Sequence, residues 1–433
     1  MKGHKYGRTS SFALLRKCVA MATGLAIAVI AATSAWAHGE KAQMPFLRMR
    51  SVQWYDVAWS KSELKVGETM ELTGKFHVSG YWPDAIGYPK ESFLNVGQPG
   101  AVLVRKEVFV NGTFVPRSFP LEVGKTYDFK IVLLARRPGT WHIHPVMNVR
   151  NGGPLSGPGE YVTIAGDFAS FTNPVKTLDG QTVNLETMGL TSIYGWHFLW
   201  MALSVAWVGY WFRRGGFVSR YLRVAASPDI PSADKMISPF DTKVTLGMLG
   251  ATLLIVLFAY SRTESALPRT LPLQSGVLTL APGDPALNAP ESVQAQLMRA
   301  LYDVPGRRLN VVAQVTNNSN EPVQIAEFNT ASVRFLNPKV ATEPVKYPEY
   351  LLAPQGLSVT DDKPIAPGET RAVTFNAQDA IWDTERLADI YYGTDSSIAG
   401  LLIFNGQNGT RHVVEIGGPA VPNYTNIGLL MKH

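Results

Sequence analysis

The chain has 433 residues, of which 46% are hydrophobic and 17% are charged, a balance that favours a membrane-associated protein with more than one domain. Five basic residues in the first 37 positions account for most of the formal charge of +6; beyond them 35 Lys and Arg face 34 Asp and Glu. We therefore expect no basic face of the kind that binds nucleic acid.

A secretory leader is predicted over residues 1–37. Its basic start precedes an apolar run over residues 19–32, and an Ala-x-Ala cleavage pattern ends at Ala37. Cleavage there makes His38 the first residue of the mature chain; an uncleaved anchor is the alternative. The only cysteine, Cys18, lies in this leader, so the mature chain is expected to contain no disulfide, thiolate ligand or cysteine nucleophile.

The segment 38–172 is predicted to be an all-β domain. Short runs rich in Val, Ile, Phe, Tyr and Trp recur between turn signals such as Asn111-Gly112 and Pro138-Gly139, which is typical of a β-sandwich. The expected strands cover residues 51–59, 69–78, 101–110, 127–135, 140–149 and 161–165.

Two membrane-spanning helices are predicted within residues 192–260. The first, 192–212, has 21 residues without a charged side chain and aromatic residues near both ends; the second, 244–260, is a shorter apolar run. The connection 213–243 carries six basic and three acidic residues, so the positive-inside rule places it in the cytoplasm and both β domains on the periplasmic side. This predicts a multi-pass protein of a bacterial inner or intracytoplasmic membrane.

The segment 265–433 is predicted to be a second β domain. A short helix is expected over residues 292–301, with Ser292 as its N-cap. The predicted fold class is therefore mainly β: two β-sandwich domains joined by a transmembrane helical hairpin. The strands expected in the second domain cover residues 308–316, 323–328, 332–336, 371–375, 401–404 and 412–416.

A pair of histidines, His142 and His144, lies two residues apart on a predicted strand. Alternation along a strand points both side chains to one face, which suits a metal ion. The alternative is that the two imidazoles bind no metal and are either hydrogen-bonded within the protein or exposed to solvent. An N-terminal His38 would add its α-amine and a ring nitrogen. A nitrogen-rich site without sulfur suits copper, whereas zinc could use the same ligands, and a blue-copper centre is excluded by the missing thiolate.

The other histidines, including His77 and His412, lie outside any ligand pattern. A multicopper oxidase is rejected because it needs several H-x-H motifs and a cysteine-centred site. The sequence assigns no catalytic residue and shows neither a phosphate-binding glycine loop nor carboxylates at a hydrolytic spacing.

The stretches HGEKAQMPFLRMRSVQWYDVAWS (residues 38–60) and GTWHIHPVMNVRNGGPLSGPGEYV (residues 139–162) closely resemble the B subunit of particulate methane monooxygenase, and the B subunit of the related ammonia monooxygenase is similar. The resemblance extends over the whole chain. It implies cupredoxin-like β domains, a copper site formed by His38, His142 and His144, and O2-dependent oxidation of methane to methanol with a quinol-type reductant.

The same resemblance implies two membrane partners, the A and C subunits, in a trimer of heterotrimers. Some family members have a second site that uses a histidine where this chain has Gln53, so that second site is expected to be weak or missing here. Two alternatives stay open: an ammonia monooxygenase subunit, and a noncatalytic copper-binding or scaffold subunit with the chemistry in a partner.

Overall fold

The computed structural model falls into two compact units, residues 1–168 with 276–433 and residues 169–275, which we describe separately. The predicted leader, His38 and most of the predicted cytoplasmic loop lie outside the described residues. The structure describes residues 43–177, 180–215, 221–222, 225–226, 237–266, 278–288, 292–340, 347–392 and 396–424.

The first β domain begins with a short helix, α1 (Pro45–Arg50), and continues into ten strands. These strands are β1 (Val52–Trp59), β2 (Glu63–Lys65), β3 (Thr69–Val78), β4 (Ser92–Gly97), β5 (Leu103–Val110), β6 (Thr113–Phe114), β7 (Lys125–Ala135), β8 (Gly139–Val149), β9 (Gly153–Ser156) and β10 (Glu160–Ala165). One sheet has the order β1-β3-β7-β5-β6. The other has the order β2-β10-β8-β4, with β9 also paired to β8.

One hydrophobic core lies between these two sheets. Trp54 on β1 packs edge-on against Phe129 on β7, and Ile143 on β8 and Val162 on β10 enter the same core from the second sheet. Because apolar side chains alternate with polar ones along these strands, each sheet buries one face, as a β-sandwich requires. The prediction of a β domain in this part of the chain is confirmed.

The second β domain is built on a nine-stranded sheet. Its strands are β13 (Val293–Asp303), β14 (Arg308–Asn317), β15 (Val323–Thr330), β16 (Val333–Leu336), β17 (Leu352–Ala353), β18 (Leu357–Val359), β19 (Thr370–Gln378), β20 (Ser397–Gly406) and β21 (Arg411–Asn423). Their order in the sheet is β17-β16-β15-β20-β21-β13-β14-β19-β18, and a short helix, α4 (Ile381–Thr384), follows β19.

The helix predicted over residues 292–301 is wrong. That segment is strand β13, which pairs antiparallel with β14 and parallel with β21. Its Gln, Ala, Leu, Met and Arg residues favour helix in isolation. Pairing on both edges and burial of Val293, Ala300 and Tyr302 override that preference, and a register shift between Leu297 and Arg299 hides the alternation that marks a strand.

The second unit contains a two-stranded ladder, β11 (Pro174–Lys176) and β12 (Thr182–Asn184), and two long helices, α2 (Leu190–Arg213) and α3 (Pro239–Ala266). The ends of the helices meet where the Tyr210 hydroxyl donates to the Asp241 carboxylate at 2.5 Å. Within the part of the chain that the structure describes, residues 239–263 of α3 form the one helix long and apolar enough to cross a membrane. The transmembrane hairpin therefore stays a prediction.

Candidate metal centre

The H-x-H pair lies where β8 changes its neighbour. Residues up to Ile143 pair with β10, and residues from His144 onward pair with β4. The rings of His142 and His144 face each other with centroids 4.4 Å apart and planes at 81°. Ile143 between them is fully buried in the core on the opposite face. The prediction that both imidazoles project to one side of the strand is confirmed.

One ring nitrogen of each imidazole lies within hydrogen-bond distance of a protein oxygen. Nδ1 of His144 lies 3.1 Å from the carbonyl oxygen of Gly157, and this side chain is buried. Nε2 of His142 lies 3.0 Å from the hydroxyl oxygen of Tyr350, a residue of the second β domain. Tyr161 on β10 packs against His142, with ring centroids 4.6 Å apart and planes at 32°. The pair is therefore oriented by both domains.

Gly159 lies directly against the imidazole rings of His142 and His144. A Cβ atom at this position would lie 2.8 Å from Cε1 of His142 and closer still to the ring of His144. The Gly159 carbonyl also accepts a hydrogen bond of 3.1 Å from the Tyr350 hydroxyl. Only a residue without a side chain allows both imidazoles to occupy these positions.

The start of the described chain runs beside this site. Gln43 donates through its side-chain amide to the carbonyl of Pro154, and its side-chain oxygen accepts from the Ser156 amide at 3.3 Å. The next residue, Gly157, contacts His144. His38 lies five positions before Gln43 in the sequence, a separation that an extended chain spans over up to about 17 Å.

The structure thus brings two of the three predicted ligands together, while His38 lies outside the described residues. Within the described ranges no group of three or more His, Cys, Asp or Glu side chains forms a metal cluster. Sequence analysis missed Tyr350 and Gly159. The first is more than 200 positions from His142 and has no motif around it, and the second is one of 38 glycines.

A second polar cluster, comprising His77, Ser79, Thr126 and Glu415, joins the two β domains. Nε2 of His77 lies 3.0 Å from Oε2 of Glu415, and Nδ1 of His77 lies 3.0 Å from the Thr126 hydroxyl. Burial alone would raise the pKa of Glu415. The hydrogen bond and the charge of His77 outweigh this effect and lower the pKa of the Glu415 carboxyl below its ordinary value. Hydrogen bonds donated by the Ser79 hydroxyl and the Gly80 amide lower it further.

A third contact between the domains involves Asp56, whose carboxylate pairs with Lys75 at 3.1 Å and with Arg411 of the second domain. Desolvation of Asp56 acts to raise its pKa, but the two cations outweigh it and lower the pKa. Asp56 also has a φ of +51°, in a region where Asp and Asn are tolerated better than most residues.

Sequence similarity to known proteins identifies the class of protein to which this chain belongs. The sequence family of monooxygenase B-subunit proteins matches residues 39–424, and the chain belongs to this family. It is thus an oxidoreductase component of a monooxygenase complex and requires other subunits. Family membership and the long apolar helix indicate association with a membrane.

The chain is 49% identical over 408 residues to the particulate methane monooxygenase alpha subunit of Methylococcus capsulatus (strain Bath), covering 93% of this chain and 97% of that relative. Among solved structures, the cupredoxin domain of amoB from Nitrosocaldus yellowstonii is 17% identical and covers 28% of this chain and 91% of that one, with a TM-score of 0.23. The two sequence matches define the family of this chain.

Proposed function

We propose that this chain is the copper-binding B subunit of a membrane-bound particulate methane monooxygenase, with His38, His142 and His144 as ligands. The observation that carries the proposal is the facing pair of imidazoles, His142 and His144, inside a member of an established monooxygenase family. Methane as substrate is supported by the relative at 49% identity, whose name specifies methane.

The residues fit a copper ion. Imidazole nitrogens suit copper, and the H-x-H motif itself contains no sulfur. Each ring has one nitrogen directed to a protein oxygen, an arrangement that fixes the orientation of metal-binding histidines. Gly159 leaves room beside both rings that a side chain would fill. Copper would supply the redox chemistry with O2, and this chain's residues would position it.

In the proposed reaction, methane and O2 give methanol and water, with two electrons and two protons from a quinol-type reductant. The proposal includes the A and C subunits as partners, assembled as a trimer of heterotrimers. It also includes cupredoxin-like folds for both β domains, a helical hairpin through the membrane and both β domains on the periplasmic side. Ammonia is the alternative substrate.

A second candidate function is a noncatalytic copper-binding or scaffold subunit. The hydrogen bond between His142 and Tyr350 favours this second function, because a metal at this site would also stabilise the contact between the two β domains. The chemistry would then take place in a partner subunit.

The test compares assembled complexes containing the wild-type chain, the double variant His142→Ala/His144→Ala, and Thr140→Ala as control. Thr140 lies on the same strand and loses only an exposed hydroxyl contact with Thr163. We expect the double variant to lose copper and methane oxidation and the control to keep both. Unchanged copper would overturn the metal assignment. Loss of copper with methane oxidation retained would support the noncatalytic candidate.

A further inference from the structure

The hydroxyl group of Tyr350 lies between a proposed metal ligand and the main chain beneath it. Its oxygen is 3.0 Å from Nε2 of His142 and 3.1 Å from the carbonyl oxygen of Gly159. Tyr350 belongs to a one-turn 3-10 helix, Glu349–Leu351, of the second β domain, whereas His142 and Gly159 belong to the first.

These two hydrogen bonds determine which nitrogen of His142 carries the proton. A carbonyl oxygen can only accept, so the single hydroxyl proton of Tyr350 points to Gly159. The hydroxyl oxygen then accepts from His142, which requires hydrogen on Nε2. The neutral ring therefore has its lone pair on Nδ1, because a neutral imidazole carries one proton.

The neighbouring ring has the opposite arrangement. Nδ1 of His144 faces the carbonyl of Gly157, so Nδ1 carries the proton and Nε2 carries the lone pair. An imidazole that binds a metal through one nitrogen typically donates through the other to a protein acceptor. The hydrogen bonds thus select Nδ1 of His142 and Nε2 of His144 as the coordinating atoms.

We propose that Tyr350 is a positioning residue that fixes the tautomer and orientation of His142 for metal binding, and that the second β domain thereby completes a site whose two described histidines come from the first. This inference rests on the proposed copper site. Tyr161 provides a matched comparison, because it packs against the same ring of His142 but lies on β10 of the first domain.

The experiment uses the purified complex with four chains: wild type, Tyr350→Phe, Tyr161→Phe and His142→Ala/His144→Ala. Copper affinity is measured by competition with a chelator, and Cu(II) is examined by pulsed EPR, which detects the remote nitrogen of a coordinated imidazole. The EPR signal of this copper site is obtained as the difference between the spectra of the wild-type and double-variant complexes.

We expect Tyr350→Phe to weaken copper binding at this site by about 10-fold or more, the usual effect of losing an outer hydrogen bond to a metal-binding histidine. The remote-nitrogen EPR pattern of one imidazole should also change, which a purely structural effect at unchanged ligation would not produce. Tyr161→Phe should retain the wild-type pattern.

If Tyr350→Phe matches wild type in both affinity and EPR pattern while the double variant loses copper, the role of Tyr350 is overturned and the copper site stands. If the double variant loses no copper, the copper site is overturned and the role of Tyr350 with it.

Discussion

Nε2 of His77 in the first β domain lies 3.0 Å from Oε2 of Glu415 in the second, and both side chains are almost buried. The same carboxylate accepts from the Ser79 hydroxyl and, at 2.9 Å, from the Gly80 amide. One carboxylate of β21 thus satisfies several donors of the first domain. The hydrogen bond between His142 and Tyr350 is a second contact between the same two domains.

Replacing Glu415 by Gln should destabilise the contact between the domains. The amide keeps the shape but loses the charge, so charge-assisted hydrogen bonds worth about 1.5–3 kcal/mol each become neutral ones worth about 1 kcal/mol. A lower thermal midpoint of the purified complex is the expected result. Glu91→Gln, which breaks an exposed pair with Arg150, is the control and should change the midpoint little.

The stability of the complex should also fall in acid, and Glu415 should account for part of the loss. A carboxyl with a lower pKa in the folded chain stabilises that state above its unfolded pKa, about 4.3, and loses the contribution as the pH falls through the folded pKa. Thermal midpoints of wild type and Glu415→Gln should therefore differ most at neutral pH and converge below about pH 4. A gap that widens in acid would contradict this sign.

Gly159→Ala should remove copper without unfolding the first domain. The new Cβ would overlap both rings, so the imidazoles must move away from their present positions. We expect copper affinity at this site to fall by at least about 10-fold, the scale of losing the orientation of a ligand. Copper content per complex and the thermal midpoint measure the two effects separately.

Gly152→Ala is the matched control for that variant. It lies in the turn between β8 and β9, and its Cβ would meet Ile86 and Val149 at 3.5 Å, an ordinary contact. Equal copper loss in Gly159→Ala and Gly152→Ala would show that any alanine near β8 disturbs the site. That result would contradict a specific role for Gly159.

Arg48 on α1 connects the beginning of the described chain to the second domain. Its guanidinium donates to the Glu385 carbonyl at 2.8 Å and pairs with the Glu385 carboxylate at 3.2 Å, both side chains being at most 2% exposed. Arg48→Ala deprives a buried carboxylate of this cation and should cost about 3–5 kcal/mol of folding free energy. Arg150→Ala, at an exposed ion pair, should cost under about 1 kcal/mol.

Thermal denaturation of the Arg48→Ala and Arg150→Ala complexes compares the loss of stability in the two variants. Because α1 lies between His38 and β1, Arg48→Ala should also lower copper content. A stable complex with full copper would show that this buried pair does not anchor the N-terminal segment.

The sequence alone predicts the parts of this molecule that depend on local pattern. Alternation along β8 is sufficient to place His142 and His144 on one face, and the six runs predicted in the first domain correspond to six of its ten strands. Local pattern fails at β13, where helix-favouring residues form a strand because two neighbouring strands pair with it.

Contacts between the domains could not be predicted in this way. Tyr350 and Glu415 act on residues of the first domain more than 200 positions earlier, and no spacing rule links positions so distant. His77 is an ordinary strand histidine in the sequence, and its role emerges only from the partner on β21. The geometry of the candidate metal centre depends on tertiary packing, although its proposed ligands can be identified in the sequence.

The central claim is that His142 and His144 bind copper, and the difference EPR spectrum between wild-type and His142→Ala/His144→Ala complexes tests it most directly. We predict a Cu(II) signal with hyperfine couplings from at least two imidazole nitrogens, present in the wild type and missing from the double variant. Spectra that superimpose, from complexes with equal copper content, would contradict the claim.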